Sequence, residues 1–107
     1  MKTPRWALAK VKELARSGRI QLTRKATDEF HNRATATAAA VILIGGMTNA
    51  DYVGPQELKF DDADVYAFNI GGAGWYLKIT IEEPMLLVIS LHPLDRPITT
   101  NKGKVKP

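Results

Sequence analysis

Three side chains in this sequence have the types and the spacing for acid–base work on a phosphate: Tyr76, Lys78 and His92. Tyr76 and Lys78 sit two apart in Trp75-Tyr76-Leu77-Lys78-Ile79-Thr80-Ile81-Glu82, a run that alternates apolar and polar side chains. Alternate residues of a strand share a face, so the phenol and the ammonium stand together while Trp75, Leu77, Ile79 and Ile81 point the other way. Met85 to Leu91 is almost continuously apolar, as in a strand covered on both faces, and His92 closes it. Glu83-Pro84 separates the two strands, where Pro84 cannot donate to a ladder. Register then decides whether His92 joins the pair. A two-residue loop pairs Tyr76 with Leu91 and turns His92 away; a three-residue loop, Glu83 to Met85, pairs Tyr76 with His92 and Lys78 with Ser90. Proline suits a tight primed turn badly, so the longer loop is expected.

A tyrosine, a lysine and a histidine on one face suit metal-free RNA cleavage. A base must deprotonate the 2′-hydroxyl, cations must stabilise the phosphorane, and an acid must protonate the leaving oxygen. From residue types alone, an ordinary amphipathic sheet face accounts for them too, since Tyr and Lys are common on open strands.

The elements that must position these residues are legible in outline. Thr3-Pro4 reads as the start of a helix, with Ala7, Leu8, Val11, Leu14 and Ala15 on one stripe and Gly18 as its end. Arg5, Lys12 and Arg16 form a second, basic stripe, able to track a phosphate backbone or to rim the core. Arg19 to Leu22 is a short strand or linker. Thr23 caps a second helix anchored by Phe30, and an Ala-rich third helix, apolar all round at Val41 to Ile44, ends at Gly45-Gly46 and is expected to be buried. Tyr52-Val53 and Glu57 to Phe60 are weak strand pieces broken by Gly54-Pro55, which suits an edge or a bulge. Asp61-Asp62 is turn chemistry, and Val65 to Ile70 is a strand. The expected architecture is α+β, with N-terminal helices packed on one face of a C-terminal antiparallel β-sheet. One domain spans 1–93, and 94–107 reads as a basic, flexible tail.

Composition narrows the function classes. The chain has 107 residues and a net charge of +4, with nine Lys or Arg against three acids in residues 1–33. Such asymmetry favours a polyanionic partner or a solvated basic face. The absence of cysteine excludes thiolate sites and disulfides and is compatible with a reducing cytosol. No run is long enough for a bilayer, so a cytoplasmic location without membrane contact is expected. Gly71-Gly72-Ala73-Gly74 leads into a strand, not a helix, and so is no phosphate loop. His31 and His92 lack partners at metal-ligand spacing, so neither a metal nor another cofactor is expected.

The order Val11-Lys12-Glu13-Leu14, Gly18, Leu22-Thr23-Arg24-Lys25-Ala26, Asp51-Tyr52, Asp64-Val65-Tyr66, then Tyr76-Leu77-Lys78-Ile79-Thr80 and Leu87-Val88-Ile89-Ser90-Leu91 resembles the MqsR (motility quorum-sensing regulator) family of toxins. The likeness runs nearly to Pro93. It implies a RelE-like fold and an mRNA-cleaving toxin of a bacterial type II toxin–antitoxin pair, neutralised by a cognate antitoxin protein. It puts Tyr76 and Lys78 on the active face, and Arg24 at a possible RNA contact. The chain departs from the family pattern at Gly54, where a lysine is typical and Lys59 is the next cation, at Ala63, and at His92-Pro93-Leu94. Candidate site residues are therefore Tyr76, Lys78 and His92 for catalysis, and Arg5, Lys12, Arg16, Arg24 and Lys59 for RNA. The alternative is a catalytically silent RNA- or protein-binding module.

Overall fold

The computed structural model describes residues 2–57 and 62–107. The sequence expectations for Lys59, Phe60 and Asp61 lie outside the described residues. Among the described residues the architecture is α+β, with three α-helices, a short 3-10 helix (Asn49–Asp51) and a five-stranded sheet in the order β1-β5-β4-β3-β2.

α1 (Leu8–Arg16) buries Val11, Leu14 and Ala15. It ends where Gly18 takes φ 81° and Arg19 N–H reaches back to Leu14 O at 2.9 Å, a reach that satisfies an otherwise unpaired terminal carbonyl. The helix starts later than Thr3-Pro4 suggests. Asp64, wholly buried on β3 (Asp62–Ile70), accepts hydrogen bonds from the amides of Arg5 at 3.1 Å and Trp6 at 3.0 Å and from the Tyr52 hydroxyl at 2.7 Å. That carboxylate claims the two amides from outside the helix.

β1 (Ile20–Leu22) pairs in parallel with β5 (Met85–Pro93), so the sheet is mixed and not purely antiparallel as expected. The other neighbours, β2 (Tyr52–Glu57), β3, β4 (Ala73–Glu82) and β5, are antiparallel. β2 is an edge strand, as is β1 at the other side, and it bulges between Tyr52 and Gly54. Asp62 is no turn residue: it pairs with Glu57 at the start of β3.

α2 (Arg24–Thr27) is a single turn capped by Thr23, and α3 (Arg33–Gly46) is capped by Asn32, whose Oδ1 accepts from Thr35 N–H at 2.8 Å. α3 is less buried than its composition suggests. Ala36, Ala40 and Ile44 are buried, yet Ile42 is 74% exposed. Among the described residues, no helix is long and apolar enough to cross a membrane.

Two apolar clusters organise the interior. The larger joins Val11 and Leu14 of α1, Ala40 and Ile44 of α3, and Leu77, Ile79, Val88 and Leu91 of the central strands. The smaller holds Ala67, Leu94 and Val105, with Tyr76 and Ile98 packed against it. It overturns the expectation of a flexible tail. Residues 98–105 form a hairpin, β6 (Ile98–Thr100) with β7 (Gly103–Val105). Its turn is stapled: Asn101 N–H donates to Tyr52 O at 3.0 Å, Asn101 Nδ2 donates to the carbonyls of Lys2 and Asn49 at 2.9 Å, and Lys102 Nζ meets Asp51 Oδ1 at 2.7 Å. Leu94 and Val105 carry no period in the sequence because the segment is short; only burial against Ala67 makes them a core.

Gly74 shows how closely this hairpin is seated. A Cβ at Gly74 would lie 2.1 Å from Lys106 O and 2.8 Å from Leu94 Cδ1, and Leu94 N–H donates to Gly74 O at 2.8 Å. Glycine is the residue that permits such a backbone approach.

Candidate active site

Tyr76 of β4 pairs directly with His92 of β5, and Lys78 with Ser90. Directly opposed residues of an antiparallel pair share a face, so all four side chains stand on the side of the sheet away from Leu77 and Leu91. This is the facing expected from a three-residue loop, but the structure reaches it differently. The loop is only Glu83-Pro84, since Glu82 pairs with Met85, and the register shifts further along, where Ile79 pairs with Val88 but Lys78 pairs with Ser90. Ile89 is the extra residue of a bulge, which changes the phase of β5 so that both Val88 and Leu91 are buried on the other side.

The bulge falls where β1 ends. Leu22 pairs with Val88, Thr23 N–H then donates to Val88 O at 3.0 Å, and Thr23 Oγ1 donates to Ile89 O at 2.6 Å. The same hydroxyl oxygen accepts from Ala26 N–H at 3.2 Å as the cap of α2. One threonine thus fixes α2 to the bulge, and this brings Lys25 to the lip of the site.

Tyr76, Lys78, Ser90 and His92 line a cleft of about 360 Å³ together with Lys25 and the segment Leu94 to Ile98. Its charged lining is Lys25, Lys78 and Arg96 against the one carboxylate of Asp95. A concave wall with an excess of cations concentrates anions.

The titrating groups are tuned by burial. Lys78 is lowered from its ordinary 10.5, first by desolvation and then by the neighbouring charge of Lys25. Tyr76 is raised from 10.0 by burial, so at neutral pH it is a phenol that donates. Its ring stacks on His92 with centroids 4.9 Å apart and 15° between the planes. His92 Nδ1 lies 2.8 Å from Pro93 O. A carbonyl only accepts, so Nδ1 carries the hydrogen, and Nε2 of the neutral ring is the acceptor. Ser90 is 1% exposed, and its hydroxyl has no hydrogen-bond partner among the described residues. Burying a hydroxyl unsatisfied costs about 1–3 kcal/mol.

The expected RNA-contact residues are not gathered here. Arg5 bonds Asp62 at 3.1 Å. Lys12 donates to Gly45 O at 3.1 Å and, with Arg16, lines a separate groove between α1 and α3. Arg16 is paired with Glu13. Arg24 is exposed on α2 and is not part of the cleft lining. Lys59 lies outside the described residues. In their place the cleft has Lys25, Ser90 and Arg96. Lys25 neighbours Arg24, and one step along a turn of helix changes the facing. Arg96 was hidden in a segment read as tail, while Ser90 takes the place opposite Lys78 that the expected register gives it. Among the described residues, no three of His, Cys, Asp and Glu come together as a metal site would need. Compared with known proteins, the chain matches no family model and no curated protein.

Proposed function

We propose that the Tyr76–Lys78–His92 cleft is the active site of a metal-independent endoribonuclease, an mRNA interferase with a RelE/MqsR-like fold. One observation carries the reading: three groups suited to 2′-hydroxyl chemistry, two of them on β4 and one on β5, share one cleft with further cations at its walls. The pooling of α1 and α3 residues with one side of the sheet is compatible with helices covering that face. The MqsR resemblance adds the expectation of a cytoplasmic toxin held in check by a cognate antitoxin protein.

In this mechanism the RNA phosphodiester sits over β4. His92 Nε2 accepts the 2′-hydroxyl proton, and the 2′-oxygen forms its bond to phosphorus as the bond from phosphorus to the 5′-oxygen breaks. The Lys78 ammonium, made a better acid by its lowered pKa, protonates the departing 5′-oxygen. The Tyr76 hydroxyl donates to a non-bridging oxygen, and Arg96 offsets the charge that gathers in the phosphorane. The products are a 2′,3′-cyclic phosphate and a 5′-hydroxyl. Arg5, Lys12, Arg16 and Arg24 would then act only on RNA beyond the cleft, through long-range attraction.

A catalytically silent RNA- or protein-binding module is the rival reading. It is favoured by Ala63, completely buried on β3, and by Gly54 on β2, which between them supply no polar side chain where the family has two. The purified chain incubated with single-stranded RNA in EDTA separates the two. The ribonuclease reading expects fragments ending in a cyclic phosphate, lost in Lys78→Met and His92→Ala, and growth arrest on induced expression. Intact RNA and unslowed growth would leave the binding module standing.

A further inference from the structure

We infer that the floor of the cleft is a seat for one phosphoryl oxyanion, with the Ser90 hydroxyl as its neutral donor and Lys78 as its cation. This deepens the ribonuclease reading, on which its nucleic-acid arm rests, although the seat itself stands on geometry. Ser90 faces Lys78 across the ladder, one pair along from Tyr76 and His92 on the same face. Its hydroxyl is buried and unpartnered among the described residues, yet the residue lines the cleft. Buried hydroxyls in native folds are almost always paired; no described residue accepts from Ser90, and since the residue borders the cleft, its acceptor is a cleft ligand that the hydroxyl meets by rotating about the Cα–Cβ bond.

The surrounding charge says what that acceptor is. Lys25 and Arg96 also line the cleft, and Asp95 is the one carboxylate that the described residues bring to it. A ligand that bonds Ser90, Lys78 and the other two lining cations together must present several acceptors and carry negative charge. A tetrahedral phosphoryl group does so, whereas a flat carboxylate offers acceptors in one plane only. The phosphodiester of RNA and free phosphate share this chemistry.

Inorganic phosphate titrated into the full chain, followed through the amide resonances of Lys78 and Ser90, tests the seat. Saturable binding is expected, weakened at least about fivefold in Ser90→Ala and kept within about twofold in Ser90→Thr, as loss of one charge-assisted hydrogen bond implies. The melting temperature of Ser90→Ala should equal or exceed the parent's, which separates a lost ligand contact from a damaged fold. An all-deoxy oligonucleotide, which has no 2′-hydroxyl to react, should compete for the same resonances. Competition identifies the phosphodiester as the occupant; phosphate binding without competition leaves a seat for free phosphate. Parental affinity in Ser90→Ala, or no saturable phosphate binding at all, overturns the inference. Ser90-dependent phosphate binding in a protein that cuts no RNA would keep the seat and remove the ribonuclease reading. Parental phosphate affinity in a Ser90→Ala variant that still cuts RNA would do the reverse.

Discussion

The two sides of β4 are built on different terms. On one, Leu77 and Ile79 are fully buried in the large cluster with α1 and α3, and the carboxylate facing Ile79 from β3, Asp64, is bonded to the Tyr52 hydroxyl and the amides of Arg5 and Trp6. On the other, Tyr76 and Lys78 are only half covered, by a small cluster that holds down the C-terminal hairpin and stops short of closing the face. The first side holds the chain together. The second places Tyr76, Lys78 and His92 on a concave, cationic surface, a composition that stability alone does not favour. A single strand therefore separates the scaffold from the candidate chemistry, residue by residue.

Substitutions on alternate positions should divide accordingly. The largest effect is expected from Lys78→Met and His92→Ala. Each should lower RNA cleavage by about 10²–10⁴-fold with the melting curve nearly unchanged; equal loss of stability and activity would break the division. Leu77→Ala should do the opposite, losing about 2–5 kcal/mol in denaturant unfolding, and a Leu77→Ala protein as stable as the parent would mean the cluster is not the scaffold. Gly74→Val should cost about 1–3 kcal/mol by forcing Lys106 and Leu94 apart. It should also expose 94–107 to proteolysis, and a variant that resists protease like the parent would show that the hairpin is not held there.

A titration sharpens the same contrast. All three tyrosines are raised above 10.0: Tyr52 and Tyr66 by burial first and then by Asp64, and Tyr76 by burial. A raised folded-state value means their contribution is complete below pH 10 and is lost as pH climbs through that value. Absorbance at 295 nm should show the tyrosines less than half ionised in the folded protein at pH 10.0, the ordinary midpoint. For Lys78 the sign is reversed: with its value depressed, cleavage should fade on an alkaline limb that lies below pH 10.5 and moves upward in Lys78→Arg. The smallest effect belongs to the exposed pair on α1, where Arg16→Ala should move the melting temperature by no more than about 2 °C.

What the sequence disclosed and what it withheld follow from how each signal arises. β4 was legible because strict alternation leaves only one way to bury Trp75 to Ile81, and the caps at Thr23 and Gly18 were legible because their chemistry is local. The later start of α1 was not, since it depends on Asp64, a residue far along the chain that takes two amides from Arg5 and Trp6. Nor was the parallel strand β1: Ile20-Gln21-Leu22 is too short to show a period, and only its pairing with Leu86 to Val88 defines it. In the candidate site, the facing of Tyr76, Lys78 and His92 was foreseen with the wrong loop. Ser90 opposite Lys78 came from the same register, whereas Lys25 and Arg96 were unreadable because tertiary docking alone decides their place.

The extra residue in β5 has a consequence for how this chain tolerates length changes. In most strands an in-frame codon loss exchanges inside for outside along everything downstream. Removing Ile89 would not: Leu86, Val88 and Leu91 would then fall on every second position, and Ser90 and His92 would keep their outlook. What would vanish is the carbonyl that receives Thr23. The shortened chain would keep its strand-borne trio while loosening the helical turn that carries Lys25, which would stay tied to β5 through the Thr23 amide and Val88 O.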